Sequence, residues 1–167
     1  MKLIEFAIEK GAELLSPVDE SSIAAFENRH ELRLPESLRD FYINAGGTEE
    51  FTDWLWRIWP FSELTTLDKR IKKEPNIEYL DGHFKCPDLK DYIPFMDALI
   101  EAPLYAVCAN EKNSKFSEVI SLAGDSNPFL AGPIVTFDEF VLILEQHWED
   151  VILPNSISEQ TSGGNVG

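Results

Sequence analysis

The sequence predicts a single α+β domain, with helices toward its two ends and antiparallel strands between them. Three observations carry that prediction. Val18 to Leu67 reads as two short helices punctuated by Leu34-Pro35 and stopped by Gly46-Gly47, then an aromatic strand ending at Trp59-Pro60. Strand-like runs recur at 92–99, 103–109 and 117–122, and loops such as Asn110-Glu111-Lys112-Asn113 separate them as an antiparallel meander requires. Thr136, with Glu139 three residues on, forms a capping box that opens a closing helix. A chain of 167 residues, 44% hydrophobic and 26% charged, has the composition of one globular domain with a core of ordinary size.

The elements follow in order. Leu3, Ile4, Ala7, Ile8, Gly11, Leu14 and Leu15 fall at spacings of three and four, which predicts an amphipathic helix over 3–15, weakened by Gly11 and broken at Ser16-Pro17. Asp19 or Ser21 caps the next helix, with Ile23, Ala25 and Phe26 inward and Glu27, Asn28, Arg29 and Glu31 in water. Pro35 suits a first helical position, where its missing N–H costs nothing, and Leu38, Phe41, Tyr42 and Ile43 form the apolar face behind it. Gly46-Gly47 ends this helix, since glycine accepts the left-handed conformation common at helix ends.

Trp54 to Trp59 predicts a strand with Trp54, Trp56 and Ile58 on one face and Leu55, Arg57 and Trp59 on the other; Pro60 ends its ladder. Ser62-Glu63-Leu64 begins a turn or short helical segment, and 67–73 forms a short helix. Residues 68–91 read as an irregular, charge-rich excursion with a turn signal at Asp81-Gly82. Phe137, Phe140, Val141, Leu144 and Trp148 line the buried face of the closing helix. Residues 154–167 are polar and glycine-rich, which predicts a disordered tail behind a domain of 1–153.

Fourteen basic residues against 30 acidic ones leave a formal charge of −16. Such a surface repels nucleic-acid phosphates and anionic membranes, and it suits a basic protein partner, whose encounter it would speed. The N-terminal MKLIEFAIEKGAELL lacks the apolar run of a secretory signal, and no stretch reaches the roughly 20 apolar residues that span a bilayer. Cys86 and Cys108 are too few for a disulfide framework. A cytoplasmic location is therefore expected.

Catalytic chemistry is not assembled. His83 and Cys86, flanked by Asp81 and Asp88, have zinc-ligand spacing but no matching second pair, and His30 and His147 stand apart. There is no G-x-S-x-G elbow, and Gly46-Gly47-Thr48 lacks a phosphate-loop lysine. The pairs Asp19-Glu20, Glu49-Glu50 and Glu149-Asp150 are the solvated carboxylates that any acidic chain carries. The expectation is a protein without catalytic residues, metal or cofactor. Four tryptophans point elsewhere: Trp59 and Trp148 suit the core, whereas Trp54 or Trp56 beside Glu49, Glu50 and Asp53 would make an aromatic hot spot for a partner.

These residues also resemble a known family. Pro17-Val18-Asp19 to Phe26-Glu27, then Leu32-Arg33-Leu34-Pro35-Glu36-Ser37-Leu38, Phe41-Tyr42 and Asn44-Ala45-Gly46-Gly47 are similar to the opening of the SUKH superfamily, the Smi/Knr-like group. Trp59-Pro60-Phe61-Ser62-Glu63-Leu64 resembles its strand and following turn, and Ile134-Val135-Thr136-Phe137-Asp138-Glu139-Phe140 its closing helix. The resemblance covers about 18–67 and 92–148; the helix over 3–15 looks like an addition, and 68–91 aligns poorly. It implies a twisted, mainly antiparallel sheet flanked by helices, with Leu34, Pro35, Phe41, Gly47, Trp59, Leu64 and Phe137 as fold-making residues.

Most bacterial members of that family look like immunity proteins that neutralise a toxin, commonly a nuclease, and the yeast members like regulatory modules. The resemblance therefore implies a non-enzymatic protein that binds a cognate, basic, nuclease-like toxin, with a regulatory or scaffold role for endogenous proteins as the alternative. Expected contacts, in loops or at strand edges, are Glu49, Glu50, Asp53, Trp54, Trp56, Glu78, Asp81, Asp88, Asp97 and Glu101.

Overall fold

A computed structural model of the chain describes residues 2–49, 56–73, 88–98, 104–122 and 135–152. Among the described residues five strands form one antiparallel sheet in sequence order: β1 (Trp56–Ile58), β2 (Tyr92–Ala98), β3 (Leu104–Cys108), β4 (Glu118–Leu122) and β5 (Val135–Thr136). Helices α1 (Leu3–Glu9), α2 (Glu20–His30) and α3 (Glu36–Asn44) precede the sheet, α4 (Leu67–Lys73) follows β1, and α5 (Phe137–Ile152) closes the order. The chain is thus an α+β meander with its helices at the two ends and one inserted after β1.

β2 and β3 are buried along their described length, so both faces of the sheet are covered. Pro94 lies inside β2, which pairs on both edges, and it is tolerated because the register with β3 slips between Pro94 and Met96. A bulge removes the need for the N–H that proline lacks. On one face α5 sets Phe137 and Phe140 against Phe95, at ring separations of 5.1 and 5.7 Å, and Phe140 against Tyr105 at 5.0 Å. α1 joins the core through Phe6, whose ring lies 5.5 Å from that of Trp56. Phe61, in the 3-10 turn after β1, meets Phe26 of α2 and Tyr42 of α3.

Local signals set most helix ends. The Asp19 side chain accepts the Ser22 N–H at 2.9 Å, and the hydroxyls of Ser21 and Ser22 also point to it. Hydrogen bonds from Ser21, then Ser22, hold this carboxyl at about 2. A depressed folded value stabilises the cap above the ordinary carboxylate range and releases it only as pH falls toward 2. Thr136 and Glu139 exchange the reciprocal bonds of the expected capping box.

α1 stops earlier than its periodicity implies. Gly11 sits at φ 73, its N–H donates to Ile8 and that of Ala12 to Ala7, so the glycine closes a Schellman motif. The buried face is consequently Leu3, Phe6 and Ala7; Ile8 is exposed, and Leu14 pairs with Thr48 in an isolated bridge. α2 ends with the same pattern at Glu31, a non-glycine residue at φ 54. Within α2, Ala25 faces solvent and Glu27 turns inward, because its carboxylate accepts the Leu34 N–H at 3.0 Å and thereby ties α2 to the chain before α3. Pro35 is one residue before α3 rather than its first residue.

Gly46 and Gly47 have a different task from the one their position suggests. α3 ends on Ala45 in extended backbone, with no left-handed cap. The two glycines instead pass through a gap between two other backbone segments. The Gly46 N–H donates to Leu15, the Leu15 N–H donates to Gly47, and the Phe61 N–H donates to Gly46. A Cβ on Gly46 would sit 2.3 Å from the Ser16 carbonyl oxygen, and one on Gly47, at φ 126, 2.7 Å from Pro60 Cα. Those obstacles are backbone and cannot swing aside.

Gly47→Ala is therefore expected to destabilise the chain by about 3 kcal/mol, combining left-handed strain with overpacking. Urea unfolding followed by tryptophan fluorescence measures it; a loss below about 0.5 kcal/mol, the range of ordinary surface substitutions, would contradict this account.

Candidate partner-binding surface

The residues expected to contact a partner divide three ways. Trp56 is fully buried, packed on Phe6, and so belongs to the core rather than to an exposed hot spot. Its place follows from strand alternation: Trp56 and Ile58 share the face that the N-terminal helices cover. Asp97 is also fully buried and unavailable to a partner. It stands opposite Arg57 in the ladder, accepts from Arg57 Nε and from the Trp59 indole N–H, each at 2.9 Å, and is held by neighbours rather than by water. The Arg57 guanidinium also lies 3.6 Å from Glu63, and Arg57 and Arg70 stack on the Trp59 ring at 5.4 and 4.6 Å. This is an internal clamp joining β1, β2 and α4, with Trp59 between two cations.

Glu49 and Asp88 are exposed, as a contact residue must be. Asp88 adopts φ 47 just before the turn that leads into β2. Glu50, Asp53, Trp54, Glu78, Asp81 and Glu101 lie outside the described residues, as do His83 and Cys86.

Reactive groups elsewhere have structural employment. Cys108 is buried, and burial pushes its thiol up, away from the thiolate a nucleophile needs. Asp91 is buried and accepts from the side-chain amides of Asn110 and Asn113, each at 2.9 Å, which shapes the β3–β4 turn. Tyr42 donates its hydroxyl to the Trp59 carbonyl at 3.0 Å, and burial raises its ionisation well above the usual phenol range. Among the described residues no three His, Cys, Asp or Glu side chains gather as a metal site would need.

A groove of about 240 Å³ lies between α1, α3 and α5. Its floor is apolar, from Leu3, Ile4, Phe41, Val141 and Leu142, and its rim carries Asp40, Asp138, Ser37, Asn44 and Lys2. The described residues leave two large hydrophobic side chains well exposed, Ile8 at 59% and Leu142 at 47%. Leu142 lines the groove, and Ile8 lies one turn along α1 from Ile4, so it extends the same side. Sequence periodicity concealed this surface by counting Ile4 and Ile8 into the core. The available signal was surplus: Phe6 completes a buried face without them.

Residues 17–143 match a model of the SMI1 / KNR4 family (SUKH-1). The chain belongs to the SMI1 / KNR4 family. No curated protein matches its sequence. The SMI1 / KNR4 segment takes in α2, α3, the whole sheet and the start of α5, whereas α1 precedes it. Leu34, Pro35, Phe41, Gly47, Trp59, Leu64 and Phe137 all fall inside it, and all are buried. SMI1 / KNR4 membership points to a role in protein–protein interaction. No described helix is long and apolar enough to cross a membrane.

The clamp makes a testable claim. Asp97→Asn keeps the shape but leaves the Arg57 cation without its buried counter-charge, and a loss of about 2 to 3 kcal/mol is expected on chemical denaturation. A change under 1 kcal/mol would mean that Glu63 and solvent suffice to satisfy Arg57.

Proposed function

We propose that this chain is a non-enzymatic immunity-type protein that binds and neutralises a cognate protein toxin in the cytoplasm. The observation that carries the reading is the charge: −16 over 167 residues, on a SMI1 / KNR4 chain. A nuclease must present a basic surface to hold its phosphate-rich substrate, and an acidic protein complements that surface while excluding the substrate. Charge of this size also accelerates encounter, which matters when a toxin has to be captured before it acts. The exposed Glu49 and Asp88 support the reading, and Glu50, Asp53, Trp54, Glu78, Asp81 and Glu101 remain proposed contacts.

Family membership also supports a second reading, a regulatory or scaffold module for endogenous proteins. Gene context separates the two, since an immunity gene is expected beside that of its toxin.

Association with a basic protein encoded beside this chain should be tight and salt-sensitive. Its association rate, measured by stopped flow or surface resonance, is expected to fall about 10- to 100-fold between 50 and 500 mM salt as the charges are screened. Absence of binding to such a neighbour, or a rate indifferent to salt, would overturn the proposal.

A further inference from the structure

The groove between α1, α3 and α5 combines two properties that an idle surface does not need together. Its floor is apolar and open, with Leu142 exposed inside it and Ile8 continuing it along α1. The charged residues that line it are Asp40, Asp138 and Lys2, and the same three helices carry further exposed carboxylates at Glu5, Glu9, Glu36 and Glu139. Of the two carboxylates on the rim, Asp138 accepts from the Ser37 hydroxyl, and Asp40 has no cationic partner among the described residues. Nearby cations are largely committed, Lys10 to Glu9 and Arg39 to Glu20 and Glu27, which leaves Lys2 as the basic side chain at the rim.

We infer that this groove is the docking site for a basic amphipathic segment of a protein partner, which seats apolar side chains on Leu142 and the floor while its lysines or arginines meet Asp40 and Asp138. The inference rests on the reading of the chain as a partner-binding protein, and it adds to the contacts proposed above a second surface on the helical face. An apolar floor supplies affinity and an acidic rim selects the sign of the partner's charge. A second copy of the chain is disfavoured as occupant, because two acidic rims on molecules of charge −16 would face each other. α1 lies before the residues that match the family, so one wall of the groove comes from outside the matched segment.

The test uses the full chain and a fluorescent synthetic peptide with leucines at i, i+3, i+4 and i+7 and lysines elsewhere, beside a counterpart in which glutamates replace the lysines. Anisotropy should show saturable binding of the lysine peptide and none of the glutamate peptide. Leu142→Glu should weaken binding at least tenfold although it adds a negative charge, and Asp40→Lys should do the same. Glu111→Lys, an equal change of charge outside the groove lining, should alter affinity less than threefold. Ile8→Glu, at a still more exposed position, serves as the second groove variant if Leu142→Glu fails to fold by circular dichroism.

The inference is overturned if the lysine peptide does not bind, if Leu142→Glu binds it as tightly as the unaltered chain, or if Glu111→Lys costs as much as Asp40→Lys. Self-association that Leu142→Glu abolishes in sedimentation would also overturn it, by giving the face to a second copy. The same variants, assayed against the basic protein encoded beside this chain, separate the two levels. Full binding by Leu142→Glu removes the groove and leaves the partner-binding reading standing, whereas no binding by the unaltered chain removes that reading itself.

Discussion

The fold depends on one close crossing of backbone. Gly46 and Gly47 pass between the extended segment around Leu15 and the Trp59-Pro60 corner, and both neighbours sit where a side chain would begin. Around this crossing the hydrogen bonds are exchanged among main chains: Leu15 with Gly46 and Gly47, Thr48 with Ile58, Phe61 with Gly46. Main-chain bonds of this kind set the separation of segments irrespective of side-chain packing. The crossing therefore fixes where α3 ends, where β1 begins and how the N-terminal segment lies against both. Phe6 packs on Trp56 and Phe61 on Tyr42 beside this crossing.

Against that frame, the sheet carries a buried charge at an unusual cost. Asp97 is removed from water, a change that several kcal/mol of attraction must offset. Hydrogen bonds donated by Arg57 and Trp59, with the Arg57 charge, offset it, and the stacking of Arg70 on Trp59 extends the arrangement to α4. Apolar residues could fill the same space with less expense. What the charge adds is direction, since only one register of β1 against β2 places Arg57 opposite Asp97.

The signals legible in the sequence were the local ones. The Asp19 cap, the Thr136–Glu139 box, α4 over 67–73 and three strands within a residue or so of their ends all follow from short-range rules. What the sequence concealed was tertiary. Trp56 and Asp97 looked like surface residues because aromatic and acidic side chains near a loop often are, yet strand alternation and the Arg57 partner bury both. Glu27 looked solvated until the chain before α3 supplied an N–H for it. Gly11 read as a weak point inside one long helix, whereas its positive φ ends the helix and frees Leu14 to pair with Thr48. Ile8 lies on the side of α1 away from Leu3, Phe6 and Ala7, so the apolar groove could not be read from periodicity that assigned it inward.

Frame and surface thus occupy different parts of the chain. The Asp97 clamp and the two glycines lie inside the segment matched to the family, whereas Leu15 and Ser16, which face those glycines, and the α1 wall of the groove precede it. The proposal that most needs testing is that the face built by α1, α3 and α5 takes part in recognition. Hydrogen exchange of the full chain, with and without its basic partner, tests this most directly. The account predicts slowed exchange concentrated in α1, α3 and the start of α5, with β3 and β4 unchanged. Protection confined to the β3–β4 turn around Asn110 to Asn113, with the three helices unaffected, would contradict it.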